Sequence, residues 1–217
     1  MANSLFDSVK EMATLEMKQA LASRLRESPQ TVDTGLNPSI AAVLSAIVTR
    51  AGDTTFLNQF SNFVGNASNQ NILGSIPSLA STGLNGAAGE LVDRFQGLVF
   101  GEQKEQAANY VARRAGIGQT SANALFSMAL ALVLAYFSKQ HSVASPNILT
   151  LSNQLQGERA SLERLVPANY LNFPAKQIQP HASLRTAELG DGPGPGKAAM
   201  WFVSIGTVCA ILMGWTV

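Results

Sequence analysis

Cysteine is almost missing from this chain. Its one cysteine, Cys209, lies within an apolar stretch close to the C-terminus. No disulfide within the chain is available, and a zinc site built on several cysteines is excluded. Histidine is nearly as scarce. His141 and His181 stand apart with no carboxylate pattern around them, which makes neither a metal site nor a catalytic triad. Charge is thin as well: 13% of the 217 residues are Asp, Glu, Lys or Arg, about half the usual share. Fifteen basic and fourteen acidic residues leave a net charge of +1, without the strongly basic balance of a nucleic-acid binder.

A secretory signal is also missing from the opening MANSLFDSVKEMATLEMKQ. Asp7, Lys10 and Glu11 interrupt any apolar stretch there, so export by a cleaved signal is not expected. GDGPGPG (Gly190–Gly196) is rich in glycine but lacks the GxxxxGK[ST] spacing of a phosphate loop. An apolar span follows it, where a strand–helix unit would be needed.

The most telling feature present is the tail, AAMWFVSIGTVCAILMGWTV (Ala198–Val217), twenty residues without a charge. At about 1.5 Å per residue it reaches roughly 30 Å, the thickness of a bilayer's hydrocarbon core. Trp201 and Trp215 stand near its two ends, where interfacial aromatics belong. The expectation is a transmembrane helix over residues 197–217 and a lipid bilayer as partner. Lys197 precedes the span, with Arg185 further back, and no charge follows. The positive-inside tendency then predicts a single-pass protein with its N-terminal domain cytoplasmic. Gly206, Ala210 and Gly214 recur every four residues. Small residues at that spacing offer a face for close pairing with another span, a second copy of this chain included.

Residues 169–196 read as a flexible Pro/Gly linker, broken by Pro174, Pro180, Pro193 and Pro195. Residues 1–168 read as one helical domain of ordinary size. Phe6, Val9, Ala13, Met17, Ala20, Leu21 and Leu25 recur at helical spacing and predict one opening helix. Ser28-Pro29 supplies an N-cap and a first-turn proline for the next. Pro38 is expected to kink or restart that helix. Ala51-Gly52 ends it, and Asp53 caps its successor. Residues 66–89, rich in Asn, Ser and Gly, read as loops with short helical turns around Ile72-Leu73 and Leu79. Helices are expected near Glu90–Phe100 and Gln103–Ala115, with Gly116 placed to end the second.

Thr120–Lys139, which contains ALFSMALALVLAYF, reads as the central buried helix. Ser145-Pro146 repeats the cap-and-proline device, and a last helix runs around Glu158–Leu165 as far as Pro167. No alternating strand pattern stands out, so the fold class is all-α.

Two segments align without a gap at an offset of ninety residues, Leu21–Ala46 with Val111–Tyr136. Each has a helix ending beside an arginine, Arg24 or Arg114, then a short polar turn and a long apolar helix. Two related helix–turn–helix units packed through their second helices would give this pattern. So would coincidence between amphipathic helices, and both readings stand at this level.

The opening amphipathic helix, the LA-x-R-L…I-A-A-V-L-S-A-I unit, the Gly/Asn-rich middle and the V-A-R-R-A-G-I…A-L-x-x-M-A-L-A-L-V-L unit resemble the YidB-like bacterial family, catalogued as domain of unknown function 937. The resemblance covers about residues 1–165. It implies an all-helical bacterial domain, with a homeodomain-like helical motif described for one member of the family. In some members a transmembrane helix joins that domain to a periplasmic OmpA-like, peptidoglycan-binding domain. Such a domain would begin about where Val217 stands, so the resemblance fits either a tail-anchored member or a piece of a longer chain. It transfers no catalytic residues and no cofactor.

Asp33, Asp53 and Asp93 read as caps or surface residues, and Glu102, Lys104 and Glu105 as a solvated face. Arg113-Arg114, with Lys139 nearby in sequence, is the best basic cluster. These arginines suit contacts to nucleic-acid phosphates or to lipid headgroups. The helix that follows is nearly all apolar, whereas a recognition helix needs polar side chains facing base edges. Nucleic acid is thus the less favoured partner, and protein partners the more favoured. The sequence predicts a non-enzymatic interaction or scaffold module at the membrane, linked to the cell envelope. A tethered nucleic-acid binder and an apolar-ligand carrier are the alternatives.

Overall fold

Ser28 shows how short-range signals set this fold. Its hydroxyl accepts from the Thr31 amide at 3.0 Å, Pro29 takes the first helical position, and one helix runs from there to Thr49. The structure is a computed structural model that describes residues 4–69, 72–143 and 147–166. Among them are ten α-helices, one 3-10 turn and no strand. They are α1 (Leu5–Glu11), α2 (Leu15–Leu25), α3 (Pro29–Thr49), α4 (Thr54–Asn69), α5 (Ile72–Thr82), α6 (Gly86–Phe100), α7 (Lys104–Ala115), α8 (Gln119–Val143), α9 (Ile148–Gly157) and α10 (Arg159–Glu163), with the 3-10 turn Gly101–Gln103 between α6 and α7. The fold is all-α.

α8 is the hub. It packs against α3, α4, α5, α6 and α7, and every residue from Met128 to Ala135 is fully buried. The expected central helix is therefore present, longer than its apolar run at both ends. α3 and α8 form the most extensive helix pair in the domain. They approach closely at Gly35, where an added methyl would lie 2.5 Å from Leu125 Cδ1 and 3.3 Å from Ile117 Cδ1. By length and composition both helices would also cross a bilayer, a test that core helices pass equally well. Here most of their apolar residues face other helices. A second packing centre is aromatic: Phe60 meets Phe137 edge-on at 5.1 Å, Phe56 at 5.8 Å and Phe95 at 6.0 Å.

Several local expectations hold. Asp53 Oδ1 accepts from the Thr55 and Phe56 amides at 2.9 and 3.3 Å and caps α4. Gly116 ends α7 in the left-handed region. Others need correction. The opening helix is two helices, because the Thr14 hydroxyl accepts from the Met17 amide and starts α2 afresh. Pro38 does not restart the helix, because α3 runs through it from Pro29 to Thr49.

The supposed loops of 66–89 are mostly helix. α5 forms despite Pro77 and its Ser/Gly content because Ile72, Ile76, Leu79 and Ala80 share a buried face, and tertiary burial outweighs weak propensity. The described cap of α9 is Asn147, whose side chain accepts from the Leu149 amide at 3.1 Å. Ser145 and Pro146 lie outside the described residues, as do the linker (169–196) and the apolar tail (197–217).

The two turns paired by the ninety-residue offset match in backbone detail. Arg26 (φ 56°) and Gly116 (φ 67°) both adopt the left-handed conformation. Their amides donate to Ala22 O and Ala112 O. The next amides, Glu27 and Ile117, donate to the same two carbonyls, each at 3.1 Å. One turn further, the Val32 amide donates to Ser28 O and the Ala122 amide to Gly118 O. The two arginines that end the paired helices differ in role. Arg24 Nη1 donates to Leu79 O at the end of α5, whereas Arg114 is exposed.

Candidate functional site: an amide-lined groove

α6, α7 and α8 come together around an open groove of about 510 Å³, within the roughly 300–1,000 Å³ range of ligand sites. Its lining comes from Gln96 on α6, from Lys104, Glu105, Ala108 and Asn109 on α7, and from Gln119, Asn123, Phe126 and Ser127 on α8. Helical spacing explains the set. Positions 105 and 109, and 119, 123 and 127, recur every fourth residue and so share faces.

Ala108 and Phe126 are buried, at 4% and 1% exposure, and form an apolar floor. The walls are mostly neutral amides. Gln119 Nε2 donates to Asn123 Oδ1 at 3.0 Å, which fixes that pair. Lys104 and Glu105 bring one charge of each sign.

Arg113 and Arg114 are both exposed near the C-terminal end of α7. Arg113 lies four residues beyond Asn109, one turn further along the same face. Arg114 also acts on Tyr110: burial pushes the Tyr110 phenol up from its ordinary value, and the nearby guanidinium partly offsets this. Lys139 does not join the arginines. It sits twenty residues along α8 from Gln119, about 30 Å away along the helix axis.

His141 is half-buried against Gly65, whose added methyl would meet its Nε2 at 3.1 Å. It borders a cavity of about 20 Å³ with Phe60, Ser61, Val64 and Phe137. That space suits one water, not an acyl chain. Asp33 is tied to Lys18 and Asp93 is exposed. No group of three or more His, Cys, Asp or Glu side chains is placed to hold a metal among the described residues. His181, Gly206, Ala210 and Gly214 lie outside the described residues.

The groove was not apparent in the sequence. Lys104 and Glu105 read there as an ordinary solvated face.

The fold and groove define a class: an all-helical domain centred on one long buried helix, with a neutral polar cleft on its outside. The chain belongs to a bacterial family of proteins of unknown function, DUF937, whose model matches residues 7–140. The match takes in every residue of the groove. No curated protein and no solved structure matches the chain.

Proposed function

We propose that this protein is a non-enzymatic interaction module, held at the cytoplasmic face of the bacterial inner membrane by Ala198–Val217. The observation that carries the interaction role is the groove's chemistry. Carboxamides donate and accept hydrogen bonds but neither titrate near neutrality nor act as nucleophiles, so a cleft lined with them suits binding. The anchoring rests on the uncharged tail with a tryptophan near each end. Gly206, Ala210 and Gly214 offer that tail a self-pairing face. The test is fractionation of full-length protein after an alkaline wash. Retention with the membranes is expected, with release on deletion of Ala198–Val217. Full-length protein in the soluble fraction overturns the reading.

A second reading has one observation in its favour. The α7–turn–α8 unit exposes Gln119, Thr120 and Asn123 beside Arg113 and Arg114, a combination suited to base edges and phosphates. α8 is buried from Met128 to Ala135, which leaves only its first two turns beside the arginines to enter a DNA groove. A DNA mobility shift that weakens steeply with salt would favour this reading, and no shift at low salt removes it. An apolar-ligand carrier draws no support from the 20 Å³ cavity beside His141.

A further inference from the structure

From Glu105 to Ser127, each groove position has a counterpart ninety residues earlier on α2 or α3, and the two faces are furnished differently. Lys18 stands where α7 has Ala108, Asp33 where α8 has Asn123, Leu36 for Phe126 and Asn37 for Ser127. On α2 and α3 the polar groups satisfy one another. Lys18 Nζ reaches Asp33 Oδ1 at 2.5 Å, and Asn37 Nδ2 donates to Asp33 Oδ2 at 3.5 Å. The Lys18 side chain thus crosses from α2 to α3 and covers that face.

On α7 the methyl of Ala108 leaves the same space empty. The groups around it keep hydrogen-bonding capacity to spare. Gln119 and Asn123 use one donor and one acceptor on each other, leaving Gln119 Oε1 and the Asn123 amide hydrogens. Gln96, Asn109 and Ser127 make no side-chain hydrogen bond to other described residues.

We infer that this groove binds an extended, uncharged peptide segment of a partner protein. The inference rests on the interaction-module reading and names its ligand. A carboxamide and a peptide group are the same chemical unit, so each free Asn or Gln can pair with a backbone amide through one N–H and one C=O. An extended segment offers such groups about every 3.3 Å, alternately toward each side. Amides on α6, α7 and α8 face it from several directions. A nucleic-acid strand is disfavoured because Glu105 offsets the only lining cation, Lys104, where phosphates would need net positive charge. A sugar would seek an exposed aromatic face, and Phe126 at 1% exposure gives a floor without a platform. Neutral partners fit because a charged side chain would leave water for a cleft with no net opposite charge.

The test uses full-length protein in lipid nanodiscs and a phage-displayed library of short random peptides, with empty discs as background. Selected sequences are then synthesised and their affinities measured. The A108K/N123D double variant installs the α2–α3 ion pair across α7 and α8, and its melting profile reports whether it folds. Binding of the selected peptide is expected to fall at least about tenfold, the loss of one or two hydrogen bonds together with the space they need.

Q119A alters an exposed residue and serves if the double variant fails to fold, with an expected loss of about threefold to tenfold. Unchanged affinity in a folded A108K/N123D, or in Q119A, overturns the groove as the site. So does the lack of any peptide enriched over empty discs. None of these outcomes touches the anchoring, which fractionation decides separately.

Discussion

Arg26 and Gly116, ninety residues apart, hold the same left-handed backbone conformation at φ 56° and 67°, and each closes its helix on the carbonyl of an alanine four residues back. Glycine adopts this conformation freely, whereas a side chain bearing Cβ pays roughly 1–2 kcal/mol. R26G should therefore raise stability by about 0.5–1 kcal/mol, once the greater freedom of glycine in the unfolded chain is subtracted. G116A should lower it by about 1 kcal/mol. Melting followed by far-ultraviolet circular dichroism reads both changes, which should have opposite sign.

The Lys18–Asp33 pair gives the domain a pH dependence at the acid end. The hydrogen bond from Lys18 holds the Asp33 carboxyl below its ordinary value of 3.8; burial opposes this, and the charges of Lys18 and Lys10 and a hydrogen bond from Asn37 reinforce it. A carboxyl with a depressed folded-state value adds stability above its unfolded value and loses it as the pH falls through the folded one. Melting of the wild type should therefore decline as the pH drops below about 3.8, and D33N should decline less over the same range. With the Asp33 side chain 42% exposed, the whole effect should stay under about 1 kcal/mol.

Phe60 is the residue on which α4, α6 and α8 converge, touching Phe95 on α6 and Phe137 on α8 while itself 1% exposed. F60A should cost about 3–5 kcal/mol, the price of a large cavity in a tight core. F60L, which refills most of the volume, should cost under about 1.5 kcal/mol. Denaturant midpoints compare the two, and equal losses would mean that the ring is not tightly packed.

Much of this fold was legible because its signals are local. Ser28-Pro29, Asp53 and Gly116 mark helix ends through hydrogen bonds and backbone preferences within a few residues. The break at Thr14 is hidden in the sequence because the apolar periodicity of Val9, Ala13 and Met17 carries straight across it. α5 is hidden because its Ser, Gly and Pro content speaks for loop, and only its burial against α2 and α8 overrides that. The groove depends on something less local still, which is space. Ala108 matters only because α7 lies against α8 and because the counterpart position holds a lysine. The Lys18-to-Ala108 exchange lies three residues before the segments that align, Leu21–Ala46 and Val111–Tyr136, and only the ion pair on the first unit gives it meaning.

Gly35 offers a further check on the α3–α8 pair. A methyl there would press on Leu125 at 2.5 Å, and Leu125 is fully buried. G35A should destabilise by about 1–3 kcal/mol from overpacking, less about 1 kcal/mol regained in helix propensity. Combining it with L125A should recover part of the loss, a coupling that a double-mutant cycle measures.

The central claim, a membrane-held module that binds through the α6–α7–α8 groove, is tested most directly by photocrosslinking in living bacteria. A photoreactive phenylalanine analogue is placed at Asn109 in the groove or at the exposed Asn58 on α4. The account predicts a light-dependent adduct with a defined second protein from Asn109, recovered with the membranes, and no such adduct from Asn58. An adduct from both positions alike, none from Asn109, or one found only in the soluble fraction would contradict it.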